Sequence, residues 1–275
     1  MLHPWKYIIE EQNVLPTSIP NNLVWIDFTD KSNLYQNLSG TTPVTTIGQA
    51  IMVAKNLGND GSAYDAISVY NDTIPVYTTG SGGFGARLDN RKFYALRNIV
   101  PISGSAPRTF VISVSDLTYT NNNAGYSSVK CLVSHGFLSA NGTTPVYGIS
   151  SHFNNTSSVQ TLGMLYETNN SSNYLIVSNS LTDEYNRDKY CVSARYNGTS
   201  NVLYANGKFQ FQHTIVLNTA TTGSVGTHLG VVLSNSADGF SPFVLHQVAI
   251  YNRYLSDDEV GAVHKWFMKK SSVGG

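Results

Sequence analysis

Two Asn-Gly dipeptides, Asn197-Gly198 and Asn206-Gly207, each follow a run of strand-forming residues. Both central residues of a type I′ turn need φ > 0, which Asn and Gly tolerate best, so each dipeptide marks a tight hairpin. The spacing predicts a meander in which 190–196, 201–205 and 208–212 run up, down and up. No other local signal constrains the fold of this chain as closely.

Short apolar runs of the same kind recur along the chain. LVWIDF (23–28), RTFVISVS (108–115), VKCLVS (129–134), LGMLYE (162–167) and NYLIVSN (173–179) read as strands. So do YCVSARY (190–196), NVLYA (201–205), HTIVL (213–217), LGVVL (229–233) and FVLHQVAIY (243–251). Phe110, Ile112 and Val114 alternate with smaller or polar neighbours, as a half-buried strand requires. TTGSGGFG (78–85), TNNNAG (120–125), NNTSS (154–158) and TNNSSN (168–173) read as linkers. This pattern predicts an all-β, antiparallel jelly-roll sandwich.

Composition agrees and removes other classes. Charged residues make up 12% of the 275 positions, with 17 Lys and Arg balanced by 17 Asp and Glu. In their place stand 27 Asn, 31 Ser and 24 Thr, which favour turns. Zero net charge and 11% aromatic residues exclude a disordered chain. The same balance argues against nucleic acid, which needs a basic face to displace counterions. No apolar run is long enough for a membrane helix, so no membrane insertion is expected. Glu10 and Glu11 stand where a secretory apolar region would run, so a signal peptide is not expected.

The ends read differently from the middle. Residues 1–22 hold Trp5, Tyr7, Ile8, Ile9, Pro16 and Pro20 without clear period and read as an N-terminal arm, or equally as a satellite strand. Residues 23–270 form the single expected domain, and 271–275 a tail. Ser256 and Glu259 make a capping box, and Asp257 and Asp258 place negative charge at the positive end of the helix dipole. Val260, Val263 and Phe267 share one face of this short C-terminal helix. Cys131 and Cys191 read as small buried hydrophobes that pair only if their strands are neighbours.

Two stretches carry a family resemblance. KYCVSARYNGTSNVLYANGKF, then GTHLGVVLS, then FVLHQVAIYNRYLSDDEVGAVHKWF follow the order of parts that ends laminin-G or concanavalin A-like jelly rolls. The shared segment is Ile250 to Glu259, of the form I-Y-N-R-x-L-S-x-x-E. At the front, VWIDFTDKSNLYQNLSGTTPVTTIGQAI resembles the opening of laminin-G-like proteins common in tailed-phage virions. The chain departs from the family at Ser241-Pro242 and His246-Gln247, where relatives often carry Gly and an Ile-Asp pair.

Chemistry-bearing patterns are sparse. A concanavalin A-like fold raises glycoside hydrolysis, which needs paired carboxylates. The five Glu residues (10, 11, 167, 184 and 259) include no E-x-D-x-x-E pattern. Asp27, Asp30 and Asn33, or Asn59, Asp60 and Asp65, offer oxygens to calcium, but such residues commonly cap turns. The seven His lack ligand spacing. No metal or other cofactor is therefore expected. Tyr119, Tyr126, Phe153, Tyr166 and Tyr185 flank Asn-rich loops, and of these Tyr126, Phe153 and Tyr185 are the candidate sugar-binding rings.

The resemblance and the missing catalytic pattern lead to the expectation of a non-enzymatic virion protein. It would decorate a capsid or accompany a tail or fibre, with capsid or tail proteins as partners, and be oligomeric in the assembly. A carbohydrate-binding adhesin gripping host-surface glycan is the second expectation, and a glycoside hydrolase the third.

Overall fold

The computed structural model describes residues 14–68, 74–89, 92–117, 129–136, 146–154, 159–166, 175–177, 189–217, 219, 226–231 and 242–272. Its first strands are β1 (Asn22–Asp27), β2 (Leu34–Tyr35), β3 (Val53–Ala54), β4 (Ala66–Ser68), β5 (Val76–Gly80) and β6 (Gly83–Leu88). Then come β7 (Tyr94–Leu96), β8 (Arg108–Ser115), β9 (Val129–Gly136), β10 (Tyr147–Asn154), β11 (Val159–Tyr166) and β12 (Leu175–Val177). The last are β13 (Lys189–Tyr196), β14 (Ser200–Ala205), β15 (Lys208–Thr214), β16 (Gly226–Leu229) and β17 (Phe243–Tyr251), followed by α1 (Asp257–Ser272).

Two antiparallel sheets pack face to face. The first runs β15-β14-β13-β8-β17-β6-β5, with β1 added on β17, and the second runs β12-β11-β10-β9-β16-β7-β4-β3-β2. Phe110, Ile112 and Val114 of β8, Val192 and Ala194 of β13, and Val248 and Ile250 of β17 meet Leu132, Tyr147, Ile149 and Leu229 of the second sheet. The outer face of the first sheet carries α1, where Trp25, Val111, Cys191, Ala249 and Tyr251 pack on Leu255, Val260, Val263 and Phe267. β8 is consequently buried on both faces rather than on one. The helix supplies the second cover.

The predicted meander forms as β13, β14 and β15, but its two turns differ. Asn206 and Gly207 have φ of 49° and 78°, the type I′ pattern. At the other turn Gly198 has φ 106° while Asn197 stays negative. Asn197 Oδ1 accepts from the backbone N–H groups of Thr199 and Ser200, which fixes Asn197 ahead of the turn and makes Gly198 its first central residue. That is the type II′ arrangement. β15 ends at Thr214 and β16 at Leu229, so 215–217 of the run expected at 213–217, and 230–231 of the run expected at 229–233, lie outside strands.

The Gly-rich stretch 78–85, expected as a linker, is a hairpin between β5 and β6. Its glycines are required by close approach. A Cβ at Gly82 would stand 2.8 Å from both His246 Nε2 and Ser115 Cβ, and one at Gly85 would stand 2.5 Å from the Leu245 carbonyl oxygen. The capping box at α1 forms as expected: Ser256 N–H donates to Glu259 at 2.8 Å, and Glu259 N–H donates back to Ser256 Oγ at 3.3 Å. Cys131 and Cys191 are buried, free and on different sheets.

Candidate functional site: a cationic, aromatic cleft beside the C-terminal helix

One edge of β17 is shared by two strands. β1 pairs with Gln247–Tyr251, β6 pairs with Phe243–Leu245, and on the opposite edge the register with β8 shifts between Leu245 and Gln247. His246 occupies that irregularity. Its Nε2 meets Ser115 Oγ at 2.8 Å, its Nδ1 meets the Phe84 carbonyl at 2.6 Å, and its own carbonyl accepts from Phe28 N–H at 2.8 Å. A bulge separates the strands that flank it. Where β1 and β6 diverge, a cleft of about 730 Å³ opens.

Four segments line this cleft. Thr29, Asp30 and Lys31 follow β1, Thr45 and Ile47 lie on a neighbouring loop, and Tyr77 and Phe84 come from the β5–β6 hairpin. Trp266, Lys269 and Lys270 come from the last turns of α1. The Tyr77 and Phe84 rings stack with centroids 5.6 Å apart and planes 6° apart. Trp266 meets Trp25 edge to face at 6.5 Å, and Lys270 Nζ lies 5.7 Å from the centre of the Trp266 ring. Burial, with Asp30 and Asp27 nearby, raises the Tyr77 phenol above its ordinary value.

The α1 wall is held from below. Lys189 sends its ammonium beneath the helix to the Phe267 carbonyl, next to Trp266. Burial pushes this ammonium down to about 8, against the opposing pull of Cys191 and Asp27. At the other end of α1, the Arg195 guanidinium donates to the Leu255 carbonyl and to Asp257 Oδ1, each at 2.7 Å. The helix is thus fixed at both ends, and with it the positions of Trp266, Lys269 and Lys270.

The lining contains three lysines and, among the described residues, one carboxylate. Lys31 is steadied by the Thr45 carbonyl at 3.1 Å, and Asp30 Oδ1 accepts from Ser32 N–H and Oγ at 3.0 and 2.7 Å. Flat rings beside ammonium groups and hydroxyls suit a polar ligand with an apolar face and negative charge.

Of the residues expected from the sequence, Asp30 is the one that lines the cleft among the described residues. Tyr126 and Tyr185 are outside the described residues, as are Tyr119 and Glu184, and Phe153 is on β10 opposite Gln160 of β11. Asp27 accepts from Thr29 N–H at 2.9 Å, and Asp65 accepts from Asn56 N–H at 3.0 Å and from Lys55 at 3.1 Å. These oxygens cap turns and pair with a lysine. The sequence reading takes Trp266 as part of a helix and Phe84 as part of a glycine linker, and it does not single out Tyr77. The one signal pointing to them was the KWFMKK ending of the helix, an aromatic pair among three lysines.

Comparison with known proteins places the fold. No family model and no curated relative matches the chain. Among solved structures, a mutant of Trypanosoma rangeli sialidase displaying trans-sialidase activity is similar over 93% of this chain and 34% of that one, with 12% identity and a TM-score of 0.54. The Ruminococcus gnavus IT-sialidase CBM40 bound to alpha2,3 sialyllactose is similar over 58% of this chain and 82% of that one, with 17% identity and a TM-score of 0.43. The fold is a sandwich of the kind such sialidases contain. This chain spans about a third of the length of the first.

The first of these likenesses corrects two expectations. A virion coat or tail role was inferred from motifs at the ends of the sandwich, yet nearly the whole chain shares its fold with part of a sialidase. The expectation that the chain stands apart from enzymes falls with it, because this fold occurs within one. The first rested on strand-turn-helix motifs, which report a fold that hosts many functions, and the second also on the missing paired-carboxylate pattern.

Proposed function

We propose that this chain is a carbohydrate-binding sandwich that takes an acidic saccharide in the cleft beside α1. The observation that carries the reading is the meeting of Trp266 and the Tyr77–Phe84 pair with Lys31, Lys269 and Lys270 in one cleft. Sugar rings stack their C–H faces on aromatic side chains, and an ammonium group recognises a carboxylate. The shared fold with a sialidase supports a glycan as the ligand class.

Titration calorimetry with sialyllactose and with neutral lactose tests the reading. Saturable binding of the acidic sugar is expected, weakened by added salt and reduced roughly tenfold by Lys270→Ala. Equal binding of lactose, or binding indifferent to both Lys270→Ala and Lys31→Ala, would sink it. Tyr126, Phe153 and Tyr185 are retained as a second proposed set of sugar-contacting rings. Alanine at each, with unchanged affinity, removes them.

A further inference from the structure

Gln247 is the last residue of β17 to pair with β1, opposite Asp27, and Leu245 is the last to pair with β6. Gln247 therefore stands where the two strands part and the cleft begins. Opposite it on β8 is Ser113, which in turn faces Cys191 of β13. Directly opposed residues share one face of a sheet, and Cys191 packs in the cluster under α1. Asp27, Gln247, Ser113 and Cys191 thus form one row across four strands beneath the helix.

Polar groups around this row are met. His246 bonds through both ring nitrogens, Asp27 accepts from Thr29, and Lys189 reaches the Phe267 carbonyl. Those of Gln247 are not. Its side chain is buried, and neither Nε2 nor Oε1 has a hydrogen-bond partner. Among the described residues only Asn201 shares that condition, and it lies on β14, three strands from β17. Ser113 Oγ and the Nε1 groups of Trp25 and Trp266 are buried and unpartnered as well. Trp266 meets Trp25 on one side and lines the cleft with Thr29 and Asp30 on the other, so it brackets Asp27, the β1 partner of Gln247. Each unmet group carries its full desolvation cost, and native interiors keep few of them.

We propose that Gln247 is a specificity-determining residue of the cleft. This rests on the carbohydrate-binding role proposed for the cleft and names the part of the saccharide selected. That part is a substituent presenting a donor and an acceptor side by side, as a pair of hydroxyls or an N-acyl group does. An amide side chain answers both at once, Nε2 donating and Oε1 accepting. The Trp266 ring turns from its contact with Trp25, the substituent enters beside Gln247, and Trp266 Nε1 gains an acceptor. The lysines attract the acidic group whatever the rest of the sugar carries. A sugar without the paired donor and acceptor leaves the amide unmet and is refused.

Gln247→Met, similar in length and apolar, separates this role from a structural one. Calorimetry with sialyllactose is expected to show affinity roughly tenfold or more below wild type. The melting temperature is expected to equal or exceed the wild-type value, because no hydrogen bond is lost. Gln247→Leu is the second variant. A fall in melting temperature in both variants, or wild-type affinity in either folded form, overturns the proposal. Glucuronic acid, which has hydroxyls and no N-acyl group, separates the two sources: a loss seen with sialyllactose alone assigns the N-acyl group. Lys270→Ala, measured alongside, keeps the two proposals apart. A wild-type chain that binds no acidic sugar overturns both, whereas binding that depends on Lys270 and not on Gln247 overturns this one alone.

Discussion

Arg195 and Asp257 form an ion pair of unequal partners: Nη2 meets Oδ1 at 2.7 Å, with the arginine side chain 1% exposed and the aspartate 74%. The guanidinium also lies between the rings of Tyr204 and Tyr254, at 4.6 and 4.7 Å from their centres. The arginine has left water and the aspartate has not. Arg195→Ala is expected to cost about 3 kcal/mol or more, since it empties a packed slot and frees the Leu255 carbonyl. Asp257→Asn is expected to cost less than about 1 kcal/mol, because solvent screens its side of the pair. Urea denaturation of the two variants checks the ranking, and equal losses would contradict it.

Glycines of one chain should respond to alanine with opposite signs. Gly85→Ala puts a Cβ 2.5 Å from the Leu245 carbonyl oxygen and 2.7 Å from Val244 Cγ1, both in the packed sheet. A loss of about 1–3 kcal/mol is expected. Gly261 lies within α1 with open space at its Cβ position. Gly261→Ala should therefore stabilise by about 0.5–1 kcal/mol, and thermal melting of both variants reads the contrast.

Acid should weaken the fold well before carboxylates are protonated. Burial pushes His135, His228 and His246 down to about 4 and His264 down to about 3. These rings stay neutral in the folded chain, whereas the unfolded chain takes up protons near pH 6.5. The unfolded state then binds more protons, so stability falls as pH drops from about 6.5 towards 4. Lys189, at about 8 when folded against 10.5 when free, works in the same direction at higher pH: stability rises between those values. Urea midpoints at about pH 5, 7.5 and 9 should increase in that order. Matching midpoints at the two lower values would refute the histidine account.

Both thiols should be silent in the folded protein. Cys131 and Cys191 are fully buried, and burial pushes each thiol well above its ordinary value. A thiol reagent is expected to label neither at neutral pH and both in denaturant, because the thiolate is the reactive form. Rapid labelling of the native chain would contradict the packing of β9 or β13.

Parts of this architecture were legible in the residues alone, and the errors have a common cause. Asn206-Gly207 and the Ser256–Glu259 box were read correctly because each is a contact within three residues. Asn197-Gly198 was read as the same turn as its neighbour. The difference lies in where the Asn197 side chain finds donors, which places the turn one residue later. The glycines at 80, 82 and 85 were read as a linker. What demands them is Asp116, Ser115, His246 and Leu245, brought alongside by the sheet.

The sequence by itself determined the antiparallel strands, the two hairpin positions and the capped C-terminal helix. Left-handed turns and helix caps are satisfied by chemistry within a few residues, and alternation marks a strand wherever one face is buried. Only the tertiary structure decided where β17 splits its edge between β1 and β6, and therefore where the cleft opens. It alone joined Lys31 and Tyr77 to Trp266 and Lys270. Those outcomes depend on contacts between segments far apart in the chain, which only packing of the two sheets and the helix brings together.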